Sequence, residues 1–215
     1  GVQTCALPIL NFIGVDNVLV LRGDAAKNET LFEPEPGGNR YAIELLKQTV
    51  NLNNGIYLEE DIREGFRTNF CIGVAGYPEK HFEAPNLETD LSFLKAKVDA
   101  GAEYITTQMF FDNKKFFEFE AACRKAGINV PIIPGLKPIT SKKQLSVIPR
   151  TFNVDIPTDL SNEILGCKTD TEVEKVGTEW LIAQSKELKA HKVPVLHYYT
   201  LGKPKVIYNV ARELF

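Results

Sequence analysis

The sequence predicts an α/β fold built on a parallel sheet, and three observations carry that prediction. Short apolar runs alternate with stretches of helical periodicity along most of the chain. The runs are too apolar for strands exposed on one side, which points to parallel strands covered by helices. Three of them lead straight into polar residues. Asn17–Leu21 precedes Arg22-Gly23-Asp24, Cys71–Gly76 precedes Tyr77-Pro78-Glu79-Lys80-His81, and Tyr104–Thr107 precedes Gln108-Met109-Phe110-Phe111-Asp112. Polar groups at the carboxyl ends of successive parallel strands are where α/β enzymes place their sites.

Each element has its own signal. Strand 17–21 leads into a loop holding Pro34, Pro36, Gly37 and Gly38, then a helix from Tyr41 to about Asn51 with Ile43, Leu46 and Val50 on one face. Residues 51–68 are polar and predict an exposed excursion. Strand 70–75 follows, then a helix from about Leu87 to Ala100, which Asn86 can cap and Gly101 ends. Strand 104–109 leads to a helix from about Lys114 to Lys125, stopped by Gly127. Strand 130–134 leads to a short helix from Ser141 to about Ile148. A helical region at 157–165 and a long helix opened by Asp170 come next, and strand 193–199 and a helix from Lys205 close the chain. That makes five strand–helix units in series. The residues alone leave two architectures open: an open doubly wound sheet, or an eight-stranded barrel without its first three units, since that fold takes about 250 residues. No G-x-G-x-x-G follows any strand, which disfavours a dinucleotide fold of the doubly wound type.

Composition bounds the function. The 215 residues are 44% hydrophobic and 25% charged with net charge −3, ordinary for a soluble globular chain. No basic stretch is interleaved with aromatics, so no nucleic-acid partner is expected, and no apolar run approaches a membrane span. Four scattered cysteines without a Cys-x-x-Cys pair read as reduced thiols of a cytoplasmic protein, and the three histidines have no zinc-site spacing, so no metal is expected. Residues 1–9 stand apart. They lack a Met, a basic region and a cleavage site, and read as the conceptual translation of a sequencing-library adapter, which leaves 10–215 as the protein proper.

The polar positions have bland readings beside functional ones. Arg22-Gly23-Asp24 is either a strand-ending turn in which Gly23 supplies unusual backbone angles, or a place where backbone approaches a flat ligand and Asp24 accepts from ring N–H groups. An adhesive Arg-Gly-Asp loop is a poor fit beside a buried strand. Asp90 and Lys97 share a helix face with Phe93 between them, by default a solvated face, alternatively a grip on the phosphates and ribose of a dinucleotide. His81 reads first as a surface imidazole. Gln108, in a strand of Ile, Thr, Met and Phe, needs a partner for its carboxamide, and a ligand amide edge would supply one.

Taken together, these segments resemble the methylenetetrahydrofolate reductase family in its bacterial form. The resemblance rests on Leu-Arg-Gly-Asp at 21–24, Val-Ala-Gly-Tyr-Pro-Glu-Lys-His at 74–81 and Lys-Val-Asp-Ala-Gly-Ala at 97–102. It continues through Thr-Gln-Met-Phe-Phe-Asp at 107–112, Ile-Ile-Pro-Gly-Leu-Lys-Pro at 132–138 and His-Tyr-Tyr-Thr-Leu at 197–201, and covers essentially all of 10–215. It implies a (β/α)8 TIM barrel of which strands 4–8 are present. It also implies FAD as cofactor, NADH or NADPH as reductant, and reduction of 5,10-methylenetetrahydrofolate to 5-methyltetrahydrofolate. By the resemblance Arg22, Gly23, Asp24, Tyr41, Ala42, Tyr77, His81, Ala84, Asp90 and Lys97 line the FAD. Asp24 also faces the pterin and tunes the flavin, while Gln108, Gln144 and Lys203 bind the folate. Bacterial relatives are oligomers, so a homo-oligomeric parent is expected.

Three departures from the family pattern stand out. Phe93 and Ala96 occupy positions where Asn and Arg are frequent, which thins the pyrophosphate contacts. Lys203 replaces an Arg, keeping the charge and losing the bidentate fork. No segment before Leu10 corresponds to the strand that carries the general-acid Glu, so the chain by itself is expected to be inactive. The rival reading is a non-catalytic flavin- or pterin-binding barrel half that needs an N-terminal partner. The related proline dehydrogenase barrel is disfavoured by the Gln108 segment and by Tyr199-Thr200-Leu201.

Overall fold

A computed structural model describes residues 2–23, 32–58, 65–202 and 204–215. In chain order the elements are α1 (Val2–Phe12), β1 (Asn17–Val20), α2 (Ala42–Asn53), β2 (Cys71–Gly76), α3 (Leu87–Asp99), β3 (Tyr104–Met109) and α4 (Asn113–Lys125). They continue with β4 (Ile132–Leu136), α5 (Gln144–Phe152), α6 (Thr158–Gly166), α7 (Asp170–Ala190), β5 (His197–Tyr198) and α8 (Pro204–Leu214). The expected series of five strand–helix units is present, and a helix covers most of the leader expected at 1–9. Among the described residues, no helix is long and apolar enough to cross a membrane.

The strands lie in one sheet in the order β1-β2-β3-β4-β5, with β1 parallel to β2 and β4 parallel to β5. A doubly wound sheet reverses its strand order at a switch point, and no reversal occurs here. The unreversed order sets aside the doubly wound alternative and is that of a barrel-type parallel sheet.

By compactness the chain divides into two units. The first holds the residues up to Ala75 together with Ser92–Ile105. Its core comprises Leu46 and Leu52 of α2, Ile72 and Val74 of β2, Leu94 of α3, and Ile105, all nearly inaccessible. Each such side chain contributes about 1.5–3 kcal/mol by leaving water. Tyr104 adds a cross-strand tie. Its ring lies over Gly73, where an added Cβ would meet ring carbons at 2.2 Å, and its hydroxyl donates to the Val18 carbonyl at 3.1 Å. Asn53 closes the polar excursion: its carboxamide accepts the Phe70 N–H and donates to the Phe70 carbonyl, both at 2.9 Å. Within that excursion, 59–64 lie outside the described residues.

The second unit holds Gly76–Leu91 and Thr106–Phe215. Its core joins Met109 and Phe111 to Ile139, Ile148, Val154, Leu160, Ile164 and Val173. The α7 helix packs on α4, α6 and α8, and approaches residue 139 so closely that a Cβ at Gly177 would sit 1.9 Å from the Ile139 carbonyl oxygen. Tyr199 repeats the arrangement seen at Tyr104. Its ring lies beside Gly135, where a Cβ would meet it at 2.6 Å, and its hydroxyl donates to the Thr107 carbonyl at 2.9 Å.

Three elements depart from expectation, each through a proline. Strand β4 begins at Ile132 and not at residue 130, after Pro131, which has no N–H to give a ladder. The final strand reduces to His197–Tyr198, because Pro194 interrupts the run expected from 193. Helix α5 was expected to stop at Ile148, before Pro149, but continues to Phe152. Pro149 deletes only its own donor, and the helix ends instead at Asn153, whose left-handed backbone (φ 54°) sends its N–H to the Pro149 carbonyl at 2.9 Å.

Candidate functional site

The polar residues after β2 form an ordered turn. Lys80 takes a left-handed conformation (φ 79°) that a non-glycine residue adopts only when held. Here the holding bonds are visible. The Lys80 N–H donates to the Tyr77 carbonyl at 3.0 Å, and its amine donates to the carbonyls of Ala84 at 2.7 Å and His81 at 3.2 Å. Tyr77 and His81 meet edge to face with ring centroids 4.6 Å apart, and Phe82 lies 4.7 Å beyond His81. The His81 backbone N–H donates to Asp90 Oδ2 at 2.9 Å, and its Nδ1 accepts the Glu83 N–H at 3.2 Å.

Asp90 therefore first orders the His81 turn from the opening turn of α3. Asn86 caps that helix as expected, accepting the Thr89 N–H at 2.8 Å. Phe93 is exposed, and Lys97, in the last turn, donates to the Ala75 carbonyl at 3.4 Å. Ala84 is buried with its carbonyl on the Lys80 amine, so it contributes packing and a fixed backbone.

At the end of β1 the Arg22 guanidinium lies 5.4 Å from the Phe32 ring centroid. Gly23 does not have the unusual backbone angles considered above: it is absent from the positive-φ residues. It makes room instead, since a Cβ there would lie 3.1 Å from the Phe32 ring. Asp24 lies outside the described residues, as does Lys203. Tyr41 is half-exposed and donates its N–H to Glu44 at 3.1 Å, which fixes the start of α2 at Ala42.

Gln108 and Gln144 share one device. Gln108 Oε1 accepts the Met109 N–H at 2.9 Å, and Gln144 Oε1 accepts the Thr140 N–H at 2.7 Å. With each oxygen committed to backbone, the amide NH2 is the group that would donate to a ligand carbonyl or ring nitrogen. Nearby in the same unit, His197 and Tyr199 meet edge to face at 4.7 Å; burial pulls the His197 imidazole below its ordinary value and pushes the Tyr199 phenol up.

Two features were not legible as site residues. Lys137, at the carboxyl end of β4, is a buried cation whose amine donates to the Pro138 carbonyl at 3.2 Å. Glu79, within the Tyr77–His81 turn, accepts the Asp155 N–H, with both carboxyl oxygens 3.2 Å away, and lies 3.8 Å from the Lys115 amine. Its carboxyl is pushed up to about 7, first by burial and also by the Asp155 charge, against the lowering pull of the Asp155 N–H and Lys115. The sequence placed Glu79 in its motif; its partners lie far along the chain. Among the described residues no group of three or more His, Cys, Asp or Glu is placed to hold a metal.

The methylenetetrahydrofolate reductase family profile matches residues 5–214. Methylenetetrahydrofolate reductase 2 of Saccharomyces cerevisiae is 37% identical over 205 residues, covering 94% of this chain and 32% of that protein. Methylenetetrahydrofolate reductase (NADH) 1 of Arabidopsis thaliana is 35% identical over 219 residues, covering 97% of this chain and 35% of that protein. The chain thus spans about a third of the length of these relatives. A solved structure of an uncharacterized Clostridium thermocellum protein that binds two copies of 5-methyl-5,6,7,8-tetrahydrofolic acid shares the fold. It aligns with a TM-score of 0.51 at 14% identity, over 91% of this chain and 69% of that one. A profile match that runs nearly end to end leaves no other assignment: the chain belongs to the methylenetetrahydrofolate reductase family.

Proposed function

We propose that the chain supplies strands 4–8 of a (β/α)8 barrel in an enzyme that reduces 5,10-methylenetetrahydrofolate to 5-methyltetrahydrofolate, with FAD as cofactor and NADH or NADPH as reductant. The observation that carries this reading is the family match through every strand-end segment, from Arg22 to Tyr199. The parent is read as a cytoplasmic homo-oligomer.

The donor set suits a flavin dinucleotide. Arg22 and Lys97 are cations of the kind a pyrophosphate takes, and the Tyr77 and His81 rings offer flat apolar surface with polar edges. Gly23, Tyr41, Ala42, Ala84 and Asp90 complete the proposed lining, with Asp24 as the carboxylate facing the flavin and pterin. When bound, FAD supplies the hydride carrier, and the protein's work is orientation and electrostatics. Gln108 and Gln144 offer amide donors for the pterin edge, and Lys203 a cation for the folate. The 215 residues hold no counterpart of the family's general-acid Glu motif, so the chain alone is expected to take up ligand without turnover.

Titrating FAD into the purified chain while following flavin fluorescence tests the reading. Saturable quenching at one FAD per chain is the expected result. Fluorescence that stays that of free flavin at all protein concentrations would sink it.

A further inference from the structure

Glu79 lies at the centre of a contact that the functional reading leaves unused. The turn after β2 is tied internally by Lys80 and, through Asp90, to α3. Glu79 ties it to two further segments. Its carboxylate accepts the N–H of Asp155, 76 positions away in the segment that follows α5. The Lys115 amine of α4 sits 3.8 Å from Glu79 Oε2 and 3.6 Å from Asp155 Oδ2, bridging both carboxylates. The Glu79 side chain is only 10% exposed, whereas that of Asp155 is 83% exposed. A carboxylate buried to this degree for a backbone N–H and a long ion pair is costly unless the contact serves the turn that carries it.

We propose that Glu79 is a positioning residue for the flavin. By clamping the Tyr77–His81 turn to Asp155 and Lys115, it holds the edge-to-face Tyr77–His81 pair in the arrangement that receives the cofactor. The inference rests on the FAD reading above. The charged and titratable groups around Glu79 are Asp155 from the segment after α5, Lys115 from α4, and Lys80 and His81 in its own turn. Because burial and Asp155 raise the carboxyl to about 7, the clamp changes charge in the neutral range. The Asp155 N–H and Lys115 favour the carboxylate, but burial outweighs them, so a turn opening that returns Glu79 to water becomes easier toward higher pH and harder toward lower pH.

The test compares the wild-type chain with Glu79→Gln and Glu79→Ala at about pH 6 and about pH 8, with the window set by linkage. Amide exchange across residues 77–84 and FAD fluorescence titration are read in parallel. Gln has the shape of a protonated Glu and keeps an acceptor for the Asp155 N–H. Glu79→Gln should therefore protect the turn and hold FAD equally at both pH values, as tightly as wild type at the lower. Wild type should lose protection and affinity several-fold toward the higher pH. Glu79→Ala should expose the turn and bind FAD roughly ten-fold more weakly at both. Glu79→Ala with unchanged affinity and protection, or Glu79→Gln with the pH profile of wild type, overturns the proposal. If wild type takes up no FAD, the FAD reading fails and takes the flavin part of the proposal with it. Exchange at 77–84 then still decides whether Glu79 clamps the turn.

Discussion

The ring of Tyr104 occupies the space that a side chain at Gly73 would fill, and its hydroxyl reaches across that glycine to the Val18 carbonyl. Gly73→Ala puts a methyl 2.2 Å from two ring carbons, so it should cost about 1–3 kcal/mol of stability in urea unfolding. Because the obstacle is a side chain, Gly73→Ala combined with Tyr104→Leu should recover part of the loss, a coupling read by a double-mutant cycle.

The related pair in the second unit should behave differently. A Cβ at Gly135 lies 2.2 Å from the Thr107 backbone oxygen as well as 2.6 Å from the Tyr199 ring. Truncating Tyr199 relieves only the second contact, so Tyr199→Leu should not rescue Gly135→Ala. Additive losses in the same cycle are the expected outcome, and a clear rescue would contradict this geometry.

Glu79 also predicts a pH-dependent stability. The unfolded chain releases this proton at the ordinary carboxylate value of 4.5, whereas the folded chain holds it to about 7. The folded state therefore binds more protons between those values, and the contribution is full below 4.5 and gone above 7. His197 acts in the opposite sense: burial lowers its imidazole, so its contribution is present above the ordinary value of 6.5 and is lost as pH falls below it. Urea midpoints of wild type minus those of Glu79→Gln isolate the first effect, and the difference should fall as pH rises from about 4.5 to about 7.

The Asn86 cap gives a smaller effect. Asn86→Ala frees the Thr89 N–H and should cost about 1 kcal/mol, measurable as a lowered thermal midpoint.

The folate role proposed for Gln108 can be tested apart from flavin binding. Gln108→Leu removes the amide donor while leaving the Tyr77–His81 turn intact, so 5-methyltetrahydrofolate should bind about ten-fold more weakly by calorimetry with FAD binding unchanged. Equal loss of both ligands would show a packing role instead.

Much of this was legible from local chemistry. Asn86 and Gly101 bracket α3, and Gly127 follows α4 as expected, because caps and glycine stops act over a few residues. The strand-end cassette marked the Tyr77–His81 turn and Gln108 for the same reason. What stayed hidden is long-range. Nothing near Glu79 announces Asp155 or Lys115, and nothing near Gly73 announces a tyrosine 31 residues later (104 − 73). The prolines misled in both directions: Pro194 broke a strand whose residue types favoured one, and Pro149 failed to break a helix.

The two tyrosine hydroxyl bonds span 86 and 92 residues of chain. At roughly 5–20 residues per second on a ribosome, Val18 is made on the order of ten seconds before Tyr104 exists to bond it. The first strand thus waits, half-finished and apolar, for a partner not yet synthesised. Thr107 waits about as long for Tyr199. The same bonds that fasten the mature sheet can close only late in synthesis, after most of the chain between their ends has been made.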